Sequence, residues 1–316
     1  MFDDLNALFH ESVLPSMCEF AEFQDGPVSG MSIDIRAAVS AATAIFHFRE
    51  HFEPVVRTFT NDELYALCPD LELIGDISNA AKHYKRTRGK NHKISEAKDI
   101  SEEIFVTTYV DEAGEYYDVR SRVAAKLNDG ARVDVFNLCV SGANFWGEQL
   151  KAAGVVSFYK PFTARPAPGS AFLARGACRG MNFQLLKGVR WRQTFRLQRF
   201  DSLAGKSIPV DLTGKKVQFR IFKPAPITVD FKLTNDTTGQ VHEFSIELSS
   251  DEASALRSLV NAKDREQFLL DIVREVHGSA PSSFSEINSS LGGLVEVKSP
   301  PGFSDGKESE GQSEAT

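Results

Sequence analysis

The sequence predicts an α+β protein: an N-terminal helical bundle with a small antiparallel β meander, then an antiparallel β-sandwich, then a disordered tail. Three observations lead there. Apolar residues before about position 155 recur at helical spacing, those after it alternate with a period of two, and prolines crowd the boundary. The divisions are an arm over 1–30, a helical and meander domain over 31–154, a Pro-rich linker over 155–180, the sandwich over 181–298 and a flexible tail over 299–316.

Taken in order, Ile33 to Phe59 carries Val39, Ala42, Ile45, Phe46, Phe52 and Val56 close to one helical stripe. Thr60-Asn61-Asp62-Glu63 offers a cap and an acidic first turn, and Pro69, at the start of a further run over Leu71 to Arg86, splits this region into two helices. The pattern then turns to strands: Ile104 to Val110, Tyr116 to Leu127 and Ala131 to Leu138, separated by turn residues at Asp111 to Glu115 and at Asp129-Gly130. Ala143 to Ala153 closes the domain as a helix, with Phe145, Trp146 and Leu150 on one side and Gly154 past its end. Pro161, Pro166, Pro168 and Gly169 suit neither a helix nor a central strand, so an inter-domain connection is expected there.

Beyond the linker, Phe183 to Leu186 and Val189 to Phe200 read as strands. Val189, Trp191, Phe195 and Leu197 fall on one face and Arg190, Arg192 and Arg196 on the other. Val217, Phe219 and Ile221, then Val229, Phe231 and Leu233, then Phe244, Ile246 and Leu248 repeat that alternation, with Thr237-Thr238-Gly239 as a turn. Ser250 to Leu259 reads as a short capped helix, and Phe268 to Val276 fits either a helix or a strand. Ser299 to Thr316 lacks the apolar surface that would offset the entropy of ordering it.

Composition narrows the function. With 316 residues, 42% hydrophobic and 25% charged, and a mean hydropathy of -0.23, the chain is long enough for two ordinary domains and has no run that would span a bilayer. Its net charge of -7, from 36 Lys and Arg against 43 Asp and Glu, argues against whole-chain attraction to nucleic acid or an anionic membrane. Cys18, Cys68, Cys139 and Cys178 form no C-x-x-C pair, so buried reduced thiols are expected rather than a zinc ribbon or redox site. The start, Met1-Phe2-Asp3-Asp4-Leu5, is acidic where a secretory leader is basic, so synthesis in the cytoplasm is expected.

No phosphate-binding glycine loop, dinucleotide fingerprint or G-x-S-x-G elbow occurs, so no enzyme of a motif-bearing class and no cofactor is expected. His47 and His51 stand four apart on a helix, but Phe48 and Arg49 replace the Glu and spacer of a zinc motif, so no metal site is expected. The densest chemistry is the stretch 82–93, where Lys82, Lys85, Arg86, Arg88, Lys90 and Lys93 occur without an acid. It reads either as contact with a nucleic acid or acidic protein surface or as a solvated helix end opposing the dipole. Asp76, Asn79 and His83 share a helix face and, with His92, form a polar cluster that suits either a small acid, amide and imidazole site or a buried tie to the neighbouring sheet.

Two resemblances add to this. The string Asp76-Ile77-Ser78-Asn79-Ala80-Ala81-Lys82-His83, set between a long helix and a meander ending at Phe145-Trp146, resembles a family of uncharacterised bacterial and prophage proteins over about residues 30 to 152. Its helical part is distantly similar to HEPN domains, whose ribonuclease members place a His four to six residues after an Arg. Arg86 and His92 follow that spacing with Gly89 between them. Lys187-Gly188-Val189-Arg190-Trp191-Arg192, then Ile208-Pro209-Val210-Asp211-Leu212-Thr213-Gly214, then Val217-Gln218-Phe219-Arg220, is similar to the immunoglobulin-like modules of bacteriophage baseplate and tail proteins, over about 180 to 298. That resemblance implies an immunoglobulin-like sandwich and a virion structural protein. Its role would be that of an adaptor of tail, neck or baseplate, with other virion proteins and further copies of itself as partners and no membrane. The partner-binding candidates are the six basic residues of 82–93 with Arg190, Arg192 and Arg196; the rival reading is an RNA-binding protein or ribonuclease using the basic segment.

Overall fold

Apolar residues begin the fold earlier than expected. In the computed structural model, which describes residues 4–25, 32–82, 92–179, 181–186, 191–212, 215–221, 227–230, 232–234, 243–249, 251, 266–274 and 290–298, the stretch read as an arm is helical from Leu5 to Asp25. Helix α1 (Leu5–Leu8), capped by the Asp4 carboxylate, runs through a π turn (Phe9–Val13) into α2 (Leu14–Asp25). Leu5, Leu8, Phe9, Val13, Met17 and Phe20 are buried, one apolar stripe continued through the turn.

Helix α3 (Ser32–Phe52) stops short of the expected Phe59, because Arg49 donates to the Phe59 carbonyl and to Asn61 Oδ1 (2.6 Å) and folds the chain back. Phe59 is buried all the same, stacked on Phe52 at 6.0 Å. Helix α4 (Asn61–Leu67) starts at the expected cap, the Glu63 N–H donating to Thr60 Oγ1 (3.2 Å). Helix α5 spans Asp70–Lys82, and the expected continuation to Arg86 lies outside the described residues.

Strands β1 (Ile100–Asp111), β2 (Gly114–Lys126) and β3 (Arg132–Asp134) form the expected antiparallel meander. Its third strand is shorter than expected. The Asp134 carboxylate accepts the N–H groups of Phe136 (2.9 Å) and Asn137 (3.3 Å), so helix α6 (Val135–Ala152) begins eight residues before the expected Ala143. Helix α6 packs through Gly142, where an added Cβ would lie 2.6 Å from Ile74 and 2.8 Å from Ile45. Trp146 is fully buried and donates its indole N–H to the Ile45 carbonyl (3.0 Å).

The second half contains β4 (Met181–Leu186), β5 (Trp191–Asp201), β6 (Lys206–Pro209), β7 (Lys215–Ile221), β8 (Ile227–Asp230), β9 (Lys232–Thr234), β10 (Glu243–Leu248), β11 (Glu266–Arg274) and β12 (Ser290–Lys298). The stretch that fitted either a helix or a strand is therefore a strand, β11. The turn at 237–239 and the tail 299–316 lie outside the described residues, as does all of the 250–259 helix but Asp251.

These strands fall into two sheets. One has the order β3-β2-β1-β5-β10-β9 with β6 on β5; the other has the order β4-β12-β11-β7-β8. Two pairings correct the expectation of a purely antiparallel sandwich: β1 with β5 and β4 with β12 are parallel. The first joins a meander strand to a strand beyond the linker, so a single sheet crosses the expected division. The protein is α+β, with a mixed main sheet. No helix among the described residues is long and apolar enough to cross a membrane.

Cross-strand partners assign the faces of the main sheet. Ile100 opposite Ala125, Glu102 opposite Val123, and Ile104 beside Phe195, which lies opposite Phe244, make an apolar face. At one end of that face Ile100, Val123 and Ala125 belong to the helical core. Glu103 opposite Arg122, Phe105 beside Arg196, and Arg196 opposite Glu243 make the other, polar face.

The segment 155–179 is packed against the protein rather than spanning free between domains. Asn144 and Asn137 of α6 hold the backbone of Phe162 and Arg165 through paired hydrogen bonds of 2.8 to 3.0 Å. Farther on, the Pro168, Ala171 and Leu173 carbonyls accept from Gln198, Tyr109 and Tyr116 on the polar face. Gly169 is buried at φ +70°, and a Cβ there would lie 2.2 Å from Ser207 Oγ, so this close crossing needs glycine.

Candidate docking site

Of the basic residues expected to bind partners, Lys82, Lys93, Arg192 and Arg196 are among the described residues. Lys85, Arg86, Arg88, Lys90 and His83 lie outside the described residues, as does Arg190. The two ends of the basic segment are tied down: Lys82 Nζ donates to His47 Nε2 (2.7 Å) and Lys93 Nζ pairs with Glu72 (2.7 Å). His47 holds Glu50 through Nδ1 at 2.7 Å, so its ring bridges Lys82 and Glu50 rather than pairing with His51. Asp76 is buried, accepts the backbone N–H groups of Lys93 (2.7 Å) and Ile94 (3.4 Å), and lies 3.7 Å from His92 Nδ1. The polar cluster thus includes Asp76 and His92 as a tie between α5 and the chain entering β1. Asn79 instead donates to the Gly75 carbonyl of its own helix (2.8 Å). Cys68 and Cys139 are buried thiols as expected, but Cys18 is exposed and Cys178 half-buried.

Arg192 is exposed, whereas Arg196 is held in a charge network that crosses β1, β2, β3, β5 and β10. At its centre Glu103, fully buried, accepts from Arg122 (2.9 Å), Arg132 and Arg196 (3.3 Å); Glu243 accepts from Arg132 and Arg196, each at 2.9 Å. Burial pushes the Glu103 carboxyl up, but Arg196, Arg122 and Arg132 together outweigh it and hold the group below the usual carboxylate range. This network fastens neighbouring strands of the main sheet.

Because β1 and β5 are parallel, the β1–β2 and β5–β6 turns emerge at the same end of the sheet. Gly114 at φ +106° allows the first turn; in the second, Asp201 Oδ1 accepts the Leu203 N–H (2.8 Å) and Ala204 N–H (3.1 Å). Leu203 at this tip is 99% exposed; Phe172, 51% exposed, packs on the polar face, while Val110 and Ile208, 48% and 46% exposed, lie on the opposite face. On the polar face Tyr109, Tyr116, Phe172 and Phe200 form a ring cluster with centroids 5.4 to 6.4 Å apart. Ion pairs flank this end on both faces: Arg175 grips Asp111 (2.7 Å) over the Tyr116 ring, and on the opposite face Arg199 lies 3.4 Å from Glu115. A fully exposed Leu203 at the tip and a half-exposed Phe172 on a rigid aromatic cluster beside a charged pair are features of a protein-binding surface. Sequence reading missed it because parallel pairing between distant strands leaves no local signal.

A cleft of about 290 Å³ lies where the 165–173 strap passes β2 and the end of α2, and it is lined by Arg120, Arg122, Arg165, Arg179, Asp118 and Asp134 among others. Among the described residues no group of three or more His, Cys, Asp or Glu is placed to hold a metal ion.

No family model matches the chain, and no curated protein matches it. Among solved structures, the N-terminal domain of phage TP901-1 ORF48 is similar at 12% identity over 36% of this chain and 82% of that chain, with a TM-score of 0.21.

Proposed function

We propose that the chain is a bacteriophage virion structural protein, an adaptor of the tail, neck or baseplate that docks on other virion proteins and assembles with further copies of itself. The observation that carries this reading is the twin-hairpin end, where Leu203 stands in solvent at the β5–β6 tip and half-exposed Phe172 covers an ordered aromatic cluster. A surface of that kind gains from being covered by a partner, at about 25 cal/mol for each Å² of apolar area removed from water. The sheet crossing both halves holds the patch at a set position relative to the helical core, as a spacer between virion parts requires. The resemblance of residues 180–298 to baseplate and tail modules supplies the class of partner. Among the described residues β4 and β8 are the outer strands of the second sheet, and their backbone groups are what copies would pair through to form rings.

The test is co-sedimentation of the purified chain with isolated tail and capsid fractions of the phage that encodes it. Binding that is lost in Leu203→Asp, with an unchanged melting temperature, is the expected result. A monomer that ignores both fractions overturns the reading.

A further inference from the structure

Helices α3 and α5 lie side by side and carry a chain of three polar groups at their surface. Thr43 Oγ1 and Ser78 Oγ meet at 3.2 Å, and one turn further along both helices Lys82 Nζ meets His47 Nε2 at 2.7 Å. Gly75, which leaves no room for a side chain against the Phe46 ring, lets the two helices come this close. On the other side of the imidazole, His47 Nδ1 lies 2.7 Å from Glu50 Oε1. An ammonium can only donate, so Nε2 is the lone-pair nitrogen, and the ring proton sits on Nδ1, donated to Glu50. Lys82 is exposed and the His47 side chain is 32% exposed, so a dissolved reagent reaches both. Lys93 makes the contrast: the Glu72 carboxylate accepts from its Nζ at 2.7 Å and holds its ammonium above the ordinary lysine range. Lys82 instead faces an uncharged ring that can take up a proton.

We propose that Lys82 is a covalent modification site that takes an acyl group directly from small acyl thioesters, with His47 as the proton acceptor and Glu50 as its positioning residue. Once solvent has removed one proton from the ammonium, the Nζ lone pair attacks the thioester carbonyl carbon. The C–N bond forms, and the extra proton on the positively charged Nζ passes to His47 Nε2 along the existing hydrogen bond. The C–S bond then breaks, sulfur leaves with the bonding pair as a thiolate, and the imidazolium gives that thiolate its proton. The products are an amide on Lys82 and a free thiol. Glu50, accepting at Nδ1, keeps Nε2 turned toward Lys82 and offsets the charge of the imidazolium while it lasts. The amide is neutral, so the modification removes one of the six positive charges carried by Lys82, Lys85, Arg86, Arg88, Lys90 and Lys93.

The experiment exposes the full chain at about pH 8 to S-acetyl-N-acetylcysteamine, a neutral acetyl thioester that the charges of 82–93 do not attract. Fragment-ion mass spectrometry follows acetylation with time at Lys82 and at the exposed Lys126, Lys160 and Lys206. A general base in a closed site contributes about 100-fold or more, and for this open one Lys82 is expected to react about tenfold faster than the mean of the other three. His47→Gln keeps a hydrogen-bond acceptor for Lys82 but cannot take its proton, and should bring Lys82 within about twofold of the others. Glu50→Gln should lower the excess about threefold. Each rate is taken as a ratio to Lys160 in the same protein, so a change in overall stability does not imitate the effect. Lys82 acetylated no faster than the other three, or an excess unchanged by His47→Gln or by Glu50→Gln, overturns the proposal.

Discussion

Replacing Glu103 by Gln tests whether the network across the main sheet holds the two halves of the chain together. Glu103 is fully buried and faces three guanidiniums, of which Arg132 and Arg196 also reach Glu243 while Arg122 is ion-paired with Glu103. Removing one member of a buried ion pair typically costs 3–5 kcal/mol, and the amide oxygen of Gln keeps one acceptor, so about 3 kcal/mol is expected at pH 7. The sign of its pH dependence comes from the carboxyl being held below its ordinary value. Its stabilisation is fully present above the unfolded value of about 4.3 and fades as pH falls through the lower folded value. Urea titrations of both proteins from pH 7 down to pH 3 therefore give a gap of about 3 kcal/mol that narrows in acid. A gap below about 1 kcal/mol at pH 7, or one that does not change with pH, refutes the reasoning.

Other expectations rest on single contacts. Asp34 is buried, and burial, partly offset by the neighbouring Glu102, pushes its carboxyl up to about 6. That stabilisation is present below about pH 4 and lost as pH rises through 6, so Asp34→Asn should gain up to about 3 kcal/mol relative to wild type at pH 8 and flatten the pH profile between 4 and 7 in thermal melts. Gly169→Ala places a Cβ 2.2 Å from Ser207 Oγ at φ +70°, and should lower stability by about 2 kcal/mol and raise proteolysis within 161–175. Thr60→Ala removes the α4 cap and should cost about 1 kcal/mol in urea.

Much of the helical half was legible because its signals are local. Thr60 caps α4, Pro69 separates α4 from α5, and Trp146 is a core residue, each by rules that look only a few residues along the chain. The first helix was missed although Leu5, Leu8, Phe9 and Val13 have helical spacing; Pro15 sits at the second position of α2, just past the π turn. Asp134 reads as a strand residue until its carboxylate is seen closing the first turn of α6. Nothing local announces that β1 and β5 are neighbours, and with them the Glu103 network and the twin-hairpin end stayed hidden. The prolines of 155–180 correctly exclude helix and central strand, but composition does not distinguish a free linker from one fastened by Asn137, Asn144, Tyr109 and Tyr116. Of the basic positions singled out, Arg196 was visible as a charge on a strand; the two glutamates that hold it lie on other strands.

The central claim, that this is a structural piece of a virion, is tested most directly by locating the chain on the particle. Gold-labelled antibody against the chain, applied to purified phage and viewed in negative stain, should mark one site, the tail end, the neck or a single vertex, on nearly every particle. Virions that carry no label while the protein accumulates free in the infected cell would contradict the account.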